Sequence, residues 1–224
     1  MKATAVLPVK RFGAAKQRLA AGIDDERRRA LVAAMLEDVL EAVGEARSIE
    51  RTIVVTDEPR AMDVAAAAGA EVVADPGGTI GSSERGGDRE GHSLAALAGI
   101  ARADADGAEC VVLLPGDCPL LDPRELDRLL TGVPASYVTI VPDRHGTGTN
   151  ALALSPPGAI RPAFGEGSCA RHVAAARAAG VPYAVEELSS LSLDLDTPAD
   201  VVALTRALES GRGRARRTAK ALGL

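Results

Sequence analysis

Short apolar runs rich in β-branched residues alternate along the chain with longer segments in which apolar residues recur every three or four positions. The first run, residues 4–9, ends at a polar turn. The segment that follows has apolar residues at Leu31, Met35, Val39 and Val43. This i, i+4 spacing predicts a helix that buries one face.

The same two patterns continue through the rest of the chain. Further strands are predicted at 52–56, 71–74, 110–114, 137–141, 150–154 and 191–195. Helices are predicted at 59–68, 94–103, 122–130, 168–179 and 198–208. Because strands alternate with helices, we expect a mostly parallel sheet covered on both faces, a single-domain three-layer α/β/α fold. Ligands of such folds bind beyond the carboxyl ends of the strands, so the loops there are the first places to examine.

Composition narrows the class of protein. With 224 residues, 46% of them hydrophobic, the chain can form one α/β domain with a full core. We assign this domain to 1–210 and expect the basic segment 211–224 to be a flexible, solvated tail. The net charge of -5 argues against a general nucleic-acid binder, because such proteins concentrate positive charge.

The cysteines and the apolar runs predict the compartment. Cys110, Cys118 and Cys169 form no CxxC pair, which favours a reducing environment and a structural role for all three. The first apolar run is too short for a signal peptide, and no apolar stretch approaches the roughly 18 residues of a membrane span. We therefore expect a cytoplasmic protein without a membrane or nucleic-acid partner.

The loop after the first strand, residues 8–20 (PVKRFGAAKQRLA), is basic. Its cationic side chains are those of Lys10, Arg11, Lys16 and Arg18. Such a loop can wrap a triphosphate, because its cations offset phosphate charge and Gly13 lets the backbone approach closely. The loop lacks the GxxxxGK[ST] spacing of a P-loop, which disfavours a Walker-type NTPase. The alternative is an ordinary solvated turn.

Acidic residues stand at two predicted strand ends. Asp117 follows the most apolar strand directly, and Asp194 and Asp196 alternate with leucines in LSLDLDTPAD. Mg²⁺ prefers carboxylate oxygens and usually takes one or two from the protein, so these three are metal candidates. Asp196 has a second interpretation as a turn or capping residue, since Thr197 and Pro198 resemble the start of a helix.

Two later loops combine glycines, hydroxyl residues, arginine and histidine, a mixture suited to gripping a phosphate or carboxylate. They are DRHGTGTNALAL at 143–154 and FGEGSCARH at 164–172. Ser168 is predicted to open a helix and so to face an anion, unless its hydroxyl merely caps that helix. His172 is either a contact to an acceptor carboxylate or a packing residue.

The motifs PVKRFGAAKQRL, GDCPLL, DRHGTGTNAL, FGEGSCARH and LDLDTPAD, in this order, resemble the CofC/FbiD family of guanylyltransferases in biosynthesis of the deazaflavin coenzyme F420. The resemblance extends from Ala5 to about Leu208. It implies a Rossmann-like nucleotidyltransferase (GT-A-like) fold, shared with the molybdenum-cofactor guanylyltransferases. The DRHGTGTN and FGEGSCARH pair is the most specific part of the match.

The resemblance also implies roles for particular residues. By similarity, Asp117 and Asp194 would hold Mg²⁺, Lys16 would embrace the GTP phosphates with its loop, and the acceptor would bind to Thr149, Gly165 and Ser168. From the residues themselves we add Asp196 to the metal site, Arg171 to the acceptor site and Lys10, Arg11 and Arg18 to the nucleotide site. The resemblance implies that His92 and Ser93 also belong to the nucleotide site. Asp117, Asp194 and Lys16 are the predicted catalytic residues. His92 and Ser93 stand where related families often have a Leu-Asn pair.

The expected reaction follows from this assignment. An acceptor phosphate attacks the α-phosphorus of GTP and pyrophosphate leaves, with Mg²⁺ as the cofactor. Phosphoenolpyruvate is the favoured acceptor, with 2-phospho-L-lactate and 3-phospho-D-glycerate as alternatives. The resemblance suggests that the product passes to a deazaflavin-joining transferase. A non-catalytic nucleotide-sensing module is the alternative from another class.

Overall fold

The computed structural model describes residues 3–13, 24–79, 87–210 and 214–224. A single seven-stranded sheet has the order β3-β2-β1-β4-β6-β5-β7. Its strands are β1 (Ala3–Pro8), β2 (Ile49–Val55), β3 (Glu71–Val73), β4 (Val111–Leu113), β5 (Tyr137–Pro142), β6 (Thr149–Ser155) and β7 (Tyr183–Val185). The helices are α1 (Asp25–Glu45), α2 (Pro59–Ala67), α3 (Gly87–Ala105), α4 (Pro123–Leu130), α5 (Ser168–Ala178), α6 (Pro198–Glu209) and α7 (Arg216–Leu222). Short 3₁₀ turns lie at Pro76–Thr79 and Ser189–Leu191.

The sheet is parallel apart from one strand. Parallel pairs join β1 to β2 and β4, β2 to β3, and β5 to β7, whereas β6 pairs antiparallel with both β4 and β5. The carboxyl ends of the parallel strands therefore share one edge with the beginning of β6. This edge carries the loops that the sequence singled out.

Two hydrophobic layers cover the sheet, which confirms the predicted three-layer arrangement. In β1, Ala5 and Leu7 pack against the layer that contains α1, α4 and α6, while Val6 packs on the opposite face against α3. The α3 helix lies very close to the sheet at Gly99, where a Cβ atom would come within 2.3 Å of Val6 Cγ1. The close approach of α3 to β1 thus requires glycine at this position.

The predicted strand at 191–195 is wrong. The chain there forms a 3₁₀ turn followed by irregular backbone, and the edge of the sheet is occupied instead by β7, which the sequence pattern missed. The backbone groups of this segment bind elsewhere: Leu195 N donates to Asp117 O at 3.4 Å, and Leu191 O accepts from Asn150 Nδ2 at 2.6 Å. These contacts leave no regular ladder for a strand.

The basic C-terminal segment also departs from expectation. Instead of a solvated tail, 214–224 contains α7, which packs on α1. Thr218 is buried, and both its backbone N–H and its hydroxyl donate to Asp38 Oδ2, at 2.8 and 2.7 Å. Ala215 adds an apolar anchor. Two buried contacts therefore hold a segment whose composition is that of a solvated surface.

No helix within the described ranges combines the length and the apolar character that crossing a bilayer requires.

Candidate active site

A cavity of ≈ 540 Å³ lies at the edge of the sheet where the parallel strands end. Its wall is formed by the turns after β1, β4 and β5, by the beginning of β6, and by the loops that precede α5 and α6. The wall residues that are polar, charged or aromatic, or that belong to the predicted motifs, include Lys10, His92, Asp117, Asp143, Thr149, Asn150, Phe164, Gly165, Glu166, Ser168, Asp194 and Asp196.

The strand order fixes how three of these residues follow one another across the cavity. Lys10 comes after β1, Asp117 after β4, and Thr149 begins β6, and these strands are neighbours in that order. Adjacent strands lie about 4.8 Å apart, so β1 and β6 are separated by roughly 10 Å. Asp117 thus lies between a cation on one side and a hydroxyl on the other.

The three predicted metal ligands share the cavity wall. Asp117, Asp194 and Asp196 all contribute to it. Within the part of the chain that the structure describes, no group of three or more His, Cys, Asp or Glu side chains is close enough to hold a metal ion. The aspartates therefore form no closed cage. Mg²⁺ fits such a site nonetheless, because it usually takes one or two protein carboxylates and completes its octahedron with water and phosphate oxygens.

The loop that carries Asp194 and Asp196 is anchored by a fully buried acid, Asp200. Asp200 Oδ2 accepts hydrogen bonds from Asp196 N at 3.0 Å and from Thr197 N at 2.7 Å. Its Oδ1 accepts from Arg144, which belongs to the 143–148 loop. Burial opposes ionisation of Asp200, but hydrogen bonds from Arg144 and Thr197 hold the pKa of this carboxyl below its usual range.

This arrangement separates the two interpretations of Asp196. Thr197 is the N-cap of α6, and Asp200 in the first turn of the helix binds back to it. The capping function therefore falls to Thr197 and Asp200, while Asp196 lines the cavity. Asp194 lines it as well, so the two acids share a site even though the predicted strand is absent.

The 143–148 loop is organised by Asp143, which the sequence did not single out. Asp143 Oδ1 accepts from the backbone N–H groups of His145 and Thr147, both at 3.0 Å, and Oδ2 accepts from Gly148 N at 2.9 Å. A Cβ atom at Gly148 would lie 2.5 Å from Asp143 Oδ2, so this tight turn requires glycine. Asp143 thus shapes the turn that leads into Thr149.

Ser168 combines burial with an unused hydroxyl at the cavity. Its side chain is 1% exposed, and its Oγ has no hydrogen-bond partner among the described residues. The N-cap of α5 is Gly167, so the alternative in which Ser168 merely caps the helix is wrong. A buried hydroxyl without a partner costs free energy unless a ligand satisfies it, and the first turn of a helix favours an anion. Ser168 and Gly165 both line the cavity, so an anion at this wall would meet the buried hydroxyl and the start of α5 together.

His172 lies behind the cavity wall and is fully buried. Its Nε2 accepts from Ala163 N at 2.9 Å, and its Nδ1 is 3.0 Å from Thr149 Oγ1. Burial, assisted by the nearby charge of Arg171, lowers the pKa of His172 from its ordinary value of 6.5 to about 4. The imidazole is consequently neutral near neutral pH. It contacts a wall residue rather than the cavity itself.

The depressed pKa of His172 makes a pH-dependent contribution to stability. Between pH 6.5 and 4 the unfolded state binds the imidazole proton and the folded state does not, so the free energy of unfolding falls with the pH across this window. The free energy of unfolding is therefore about 3 kcal/mol lower at pH 4 than above pH 6.5 on account of this one imidazole. Urea unfolding of the wild type and of His172→Gln at pH 7.5 and pH 4.5 should show a smaller loss in the variant; parallel losses in both would contradict the assignment.

The remaining residues predicted for the nucleotide site take four different positions. His92 lines the cavity and packs edge-on to Phe164, with ring centroids 5.0 Å apart. Ser93 stands behind the wall, where its hydroxyl accepts from Phe164 N at 3.2 Å. Arg11 is exposed on the turn after β1, outside the cavity wall. Lys16 and Arg18 lie outside the described residues.

Arg171 is predicted to contact the acceptor, but in the structure its guanidinium binds the protein backbone. Its guanidinium donates to three backbone carbonyls of the 163–166 loop: Ala163 O, Phe164 O and, at 2.7 Å, Glu166 O. Arg171 thus fixes the shape of the loop that presents Gly165. A guanidinium with five donors is suited to such a multiple contact, but no local pattern in the sequence indicates its partners.

The strand order and the position of the cavity define the class of protein: a nucleotidyltransferase fold with its ligand site at the carboxyl ends of the parallel strands. A nucleotidyl transferase from Methanothermobacter has this fold, with a TM-score of 0.61 at 19% identity, covering 93% of this chain and 99% of that one. The family model described as guanylyl transferase CofC like matches residues 3–216. The chain belongs to this family.

Two curated relatives cover almost the whole chain. A phosphoenolpyruvate guanylyltransferase from Conexibacter woesei is 45% identical over 97% of this chain and 94% of its own length. A 3-phospho-D-glycerate guanylyltransferase from Phenylobacterium zucineum is 38% identical over 91% of this chain and 90% of its own. The family resemblance that the sequence motifs indicated is thereby confirmed.

Proposed function

We propose that this protein transfers GMP from GTP to the phosphate of phosphoenolpyruvate, giving enolpyruvyl-diphospho-guanosine and pyrophosphate. The observation that carries the proposal is the cavity wall itself, in which Asp117 lies between Lys10 and Thr149 in the strand order and Ser168 lines the same cavity. Such a wall offers a cation to a nucleotide phosphate, carboxylates to a metal and hydroxyls to a second anion. The guanylyltransferase relatives support the same reaction.

The reaction needs alignment more than acid–base chemistry. An oxygen of the acceptor phosphate forms a bond to the α-phosphorus of GTP, and the bond from that phosphorus to the oxygen bridging to the β-phosphate breaks. Pyrophosphate leaves with the electron pair. The second pKa of a phosphate monoester is about 6, so the acceptor is already ionised near neutral pH and no protein base is required. The residues therefore act by holding two anions together.

Each side of the cavity has its part in this alignment. Lys10 offsets charge on the GTP phosphates, and we propose the same role for Lys16 and Arg18 of the basic loop. Thr149, Gly165 and Ser168 hold the acceptor, because Ser168 Oγ is buried at the wall with no other described partner. Arg171 and Asp143 keep the two acceptor loops in shape.

Mg²⁺ is the proposed cofactor. Asp117 and Asp194 would be its principal ligands, with Asp196 beside them, because these hard oxygen donors share one wall of the cavity. When bound, the ion neutralises charge that develops on the α-phosphate. The same acids would otherwise repel the triphosphate, so the site favours a nucleotide that arrives with a divalent cation.

We also propose which acid is the acceptor and in which pathway the reaction takes place. We favour phosphoenolpyruvate over 3-phospho-D-glycerate because the relative named for phosphoenolpyruvate is the more similar of the two. In coenzyme F420 biosynthesis the product would pass to a deazaflavin-joining transferase. Cytoplasmic location and the absence of a nucleic-acid or membrane partner stay predictions.

Pyrophosphate release by the purified chain tests the proposal. The protein is incubated with Mg²⁺ and GTP in parallel with phosphoenolpyruvate, 2-phospho-L-lactate and 3-phospho-D-glycerate, with ATP as the control nucleotide. We expect the highest kcat/KM with GTP and phosphoenolpyruvate. A higher value with another acid would reassign the acceptor. If folded protein with metal present released no pyrophosphate with any of the three acids, the non-catalytic nucleotide-sensing module would be favoured instead.

A further inference from the structure

His172 connects two walls of the cavity that come from distant parts of the chain. One wall begins β6 at Thr149, whose Oγ1 is 3.0 Å from Nδ1. The other is the 163–166 loop, whose Ala163 N–H donates to Nε2 at 2.9 Å. Phe164 in that loop also packs edge-on against the imidazole, with ring centroids 5.3 Å apart. The histidine therefore fixes both acceptor-side walls relative to each other.

The two hydrogen bonds determine which nitrogen carries the proton. A backbone N–H can only donate, so Nε2, which receives the Ala163 N–H, has no hydrogen of its own. The imidazole is neutral at physiological pH because burial lowers its pKa to about 4. Its single proton is therefore on Nδ1, and Nδ1–H donates to Thr149 Oγ1. This contact uses the Thr149 oxygen as an acceptor and leaves the hydroxyl hydrogen available to a ligand.

We propose that His172 is a positioning residue for the acceptor: its Nδ1–H holds Thr149 Oγ1 and thereby aims the Thr149 hydroxyl hydrogen at the anionic group of the bound acid. The inference rests on the proposed role of Thr149 in the acceptor site. It assigns His172 to substrate binding through another residue, since the imidazole itself does not line the cavity. If His172 served packing alone, the effect of replacing it would not depend on the Thr149 hydroxyl.

Two substitutions separate the two hydrogen bonds of His172. Glutamine can place its oxygen near the position of Nε2, so His172→Gln keeps an acceptor for Ala163 N–H and removes the donor to Thr149. Asparagine can place its nitrogen near the position of Nδ1, so His172→Asn keeps that donor and removes the other contact. Thr149→Val removes the hydroxyl, and the double variant Thr149→Val with His172→Gln tests whether the residues act together.

Steady-state kinetics with GTP, Mg²⁺ and phosphoenolpyruvate give the readout. We expect His172→Gln to raise the KM for phosphoenolpyruvate about tenfold, the effect of one hydrogen bond to a charged group, with the KM for GTP unchanged. His172→Asn should stay within about threefold of the wild type, and in the Thr149→Val background His172→Gln should add less than about twofold. An unchanged KM in His172→Gln, or its full effect without the Thr149 hydroxyl, overturns the inference.

A second measurement reads the tautomer of His172 in the wild type itself, and the variants serve only to assign its signals. The chain has three histidines, so ¹⁵N-detected imidazole spectra of the wild type can be assigned with His172→Gln and His172→Asn. The expected tautomer of His172 has its proton on Nδ1; a proton on Nε2 overturns the inference. If the wild type shows no turnover, the proposed function fails by itself, and the tautomer still decides whether His172 donates to Thr149.

Discussion

Replacing Asp117 by asparagine is expected to lower kcat with GTP and phosphoenolpyruvate by about 10²- to 10³-fold, the range seen when one preorganised electrostatic contact is removed. Asparagine has nearly the same shape, so the backbone contact between Asp117 O and Leu195 N is retained while the charge is lost. Asp117 lies between Lys10 and Thr149 in the strand order, which places it between the proposed nucleotide and acceptor sides of the cavity.

Kinetics as a function of Mg²⁺ concentration would locate the defect. If Asp117 is a metal ligand, the variant should require more Mg²⁺ for half-maximal rate. Asp63→Asn is the matched control. Asp63 is exposed on α2, so this substitution makes the same chemical change at the surface. A kcat for Asp117→Asn within threefold of the control would remove Asp117 from the catalytic site.

Replacing Asp200 by alanine is expected to destabilise the protein by about 3 kcal/mol, as breaking a buried ion pair typically does. Asp200 is fully buried, whereas the side chain of its partner Arg144 is 35% exposed, so solvent offsets part of the loss. The substitution also leaves the backbone N–H groups of Asp196 and Thr197 without their acceptor. The loop that carries Asp194 and Asp196 should therefore loosen.

Urea unfolding measures this loss. Asp24→Ala is the matched control, because Asp24 caps α1 through its carboxylate at an exposed position, where such a cap contributes about 1 kcal/mol. Asp200→Ala should also raise the Mg²⁺ requirement, which the control should not. Equal destabilisation by the two variants would show that the buried pair with Arg144 adds nothing beyond an ordinary helix cap.

Local patterns in the sequence located most of the candidate site. The run of apolar residues at 110–114 predicted a central strand, and Asp117 three positions beyond it was therefore expected at a strand end. The glycine and hydroxyl residues around Thr149 and Ser168 likewise indicated loops that bind anions. The structure places these residues at one cavity because they stand next to the elements that carry them, and a parallel sheet brings such loops to one edge. Metal and anion binding by them stay predictions.

The failures share a different cause. The strand predicted at 191–195 depends on alternation alone, but its backbone groups bind Asp117 and Asn150, which are distant in sequence. The polar composition of the basic end predicts a tail, whereas the buried contacts of Thr218 with Asp38 and of Ala215 with the core secure α7. Composition cannot reveal a buried polar contact when its partners are 180 residues apart.

The sequence by itself therefore determined the layered α/β fold, the edge of the sheet at which the cavity lies, and Asp117, Thr149 and Ser168 as residues of its wall, because periodicity and position at strand or helix ends are local properties. Only the tertiary structure decided the supporting contacts: Asp200 with Arg144, Arg171 with the 163–166 loop, and His172 with Thr149. These are pairings between segments that the fold brings together, and their strength depends on burial. No local pattern of residues specifies which distant partner a buried polar group will meet.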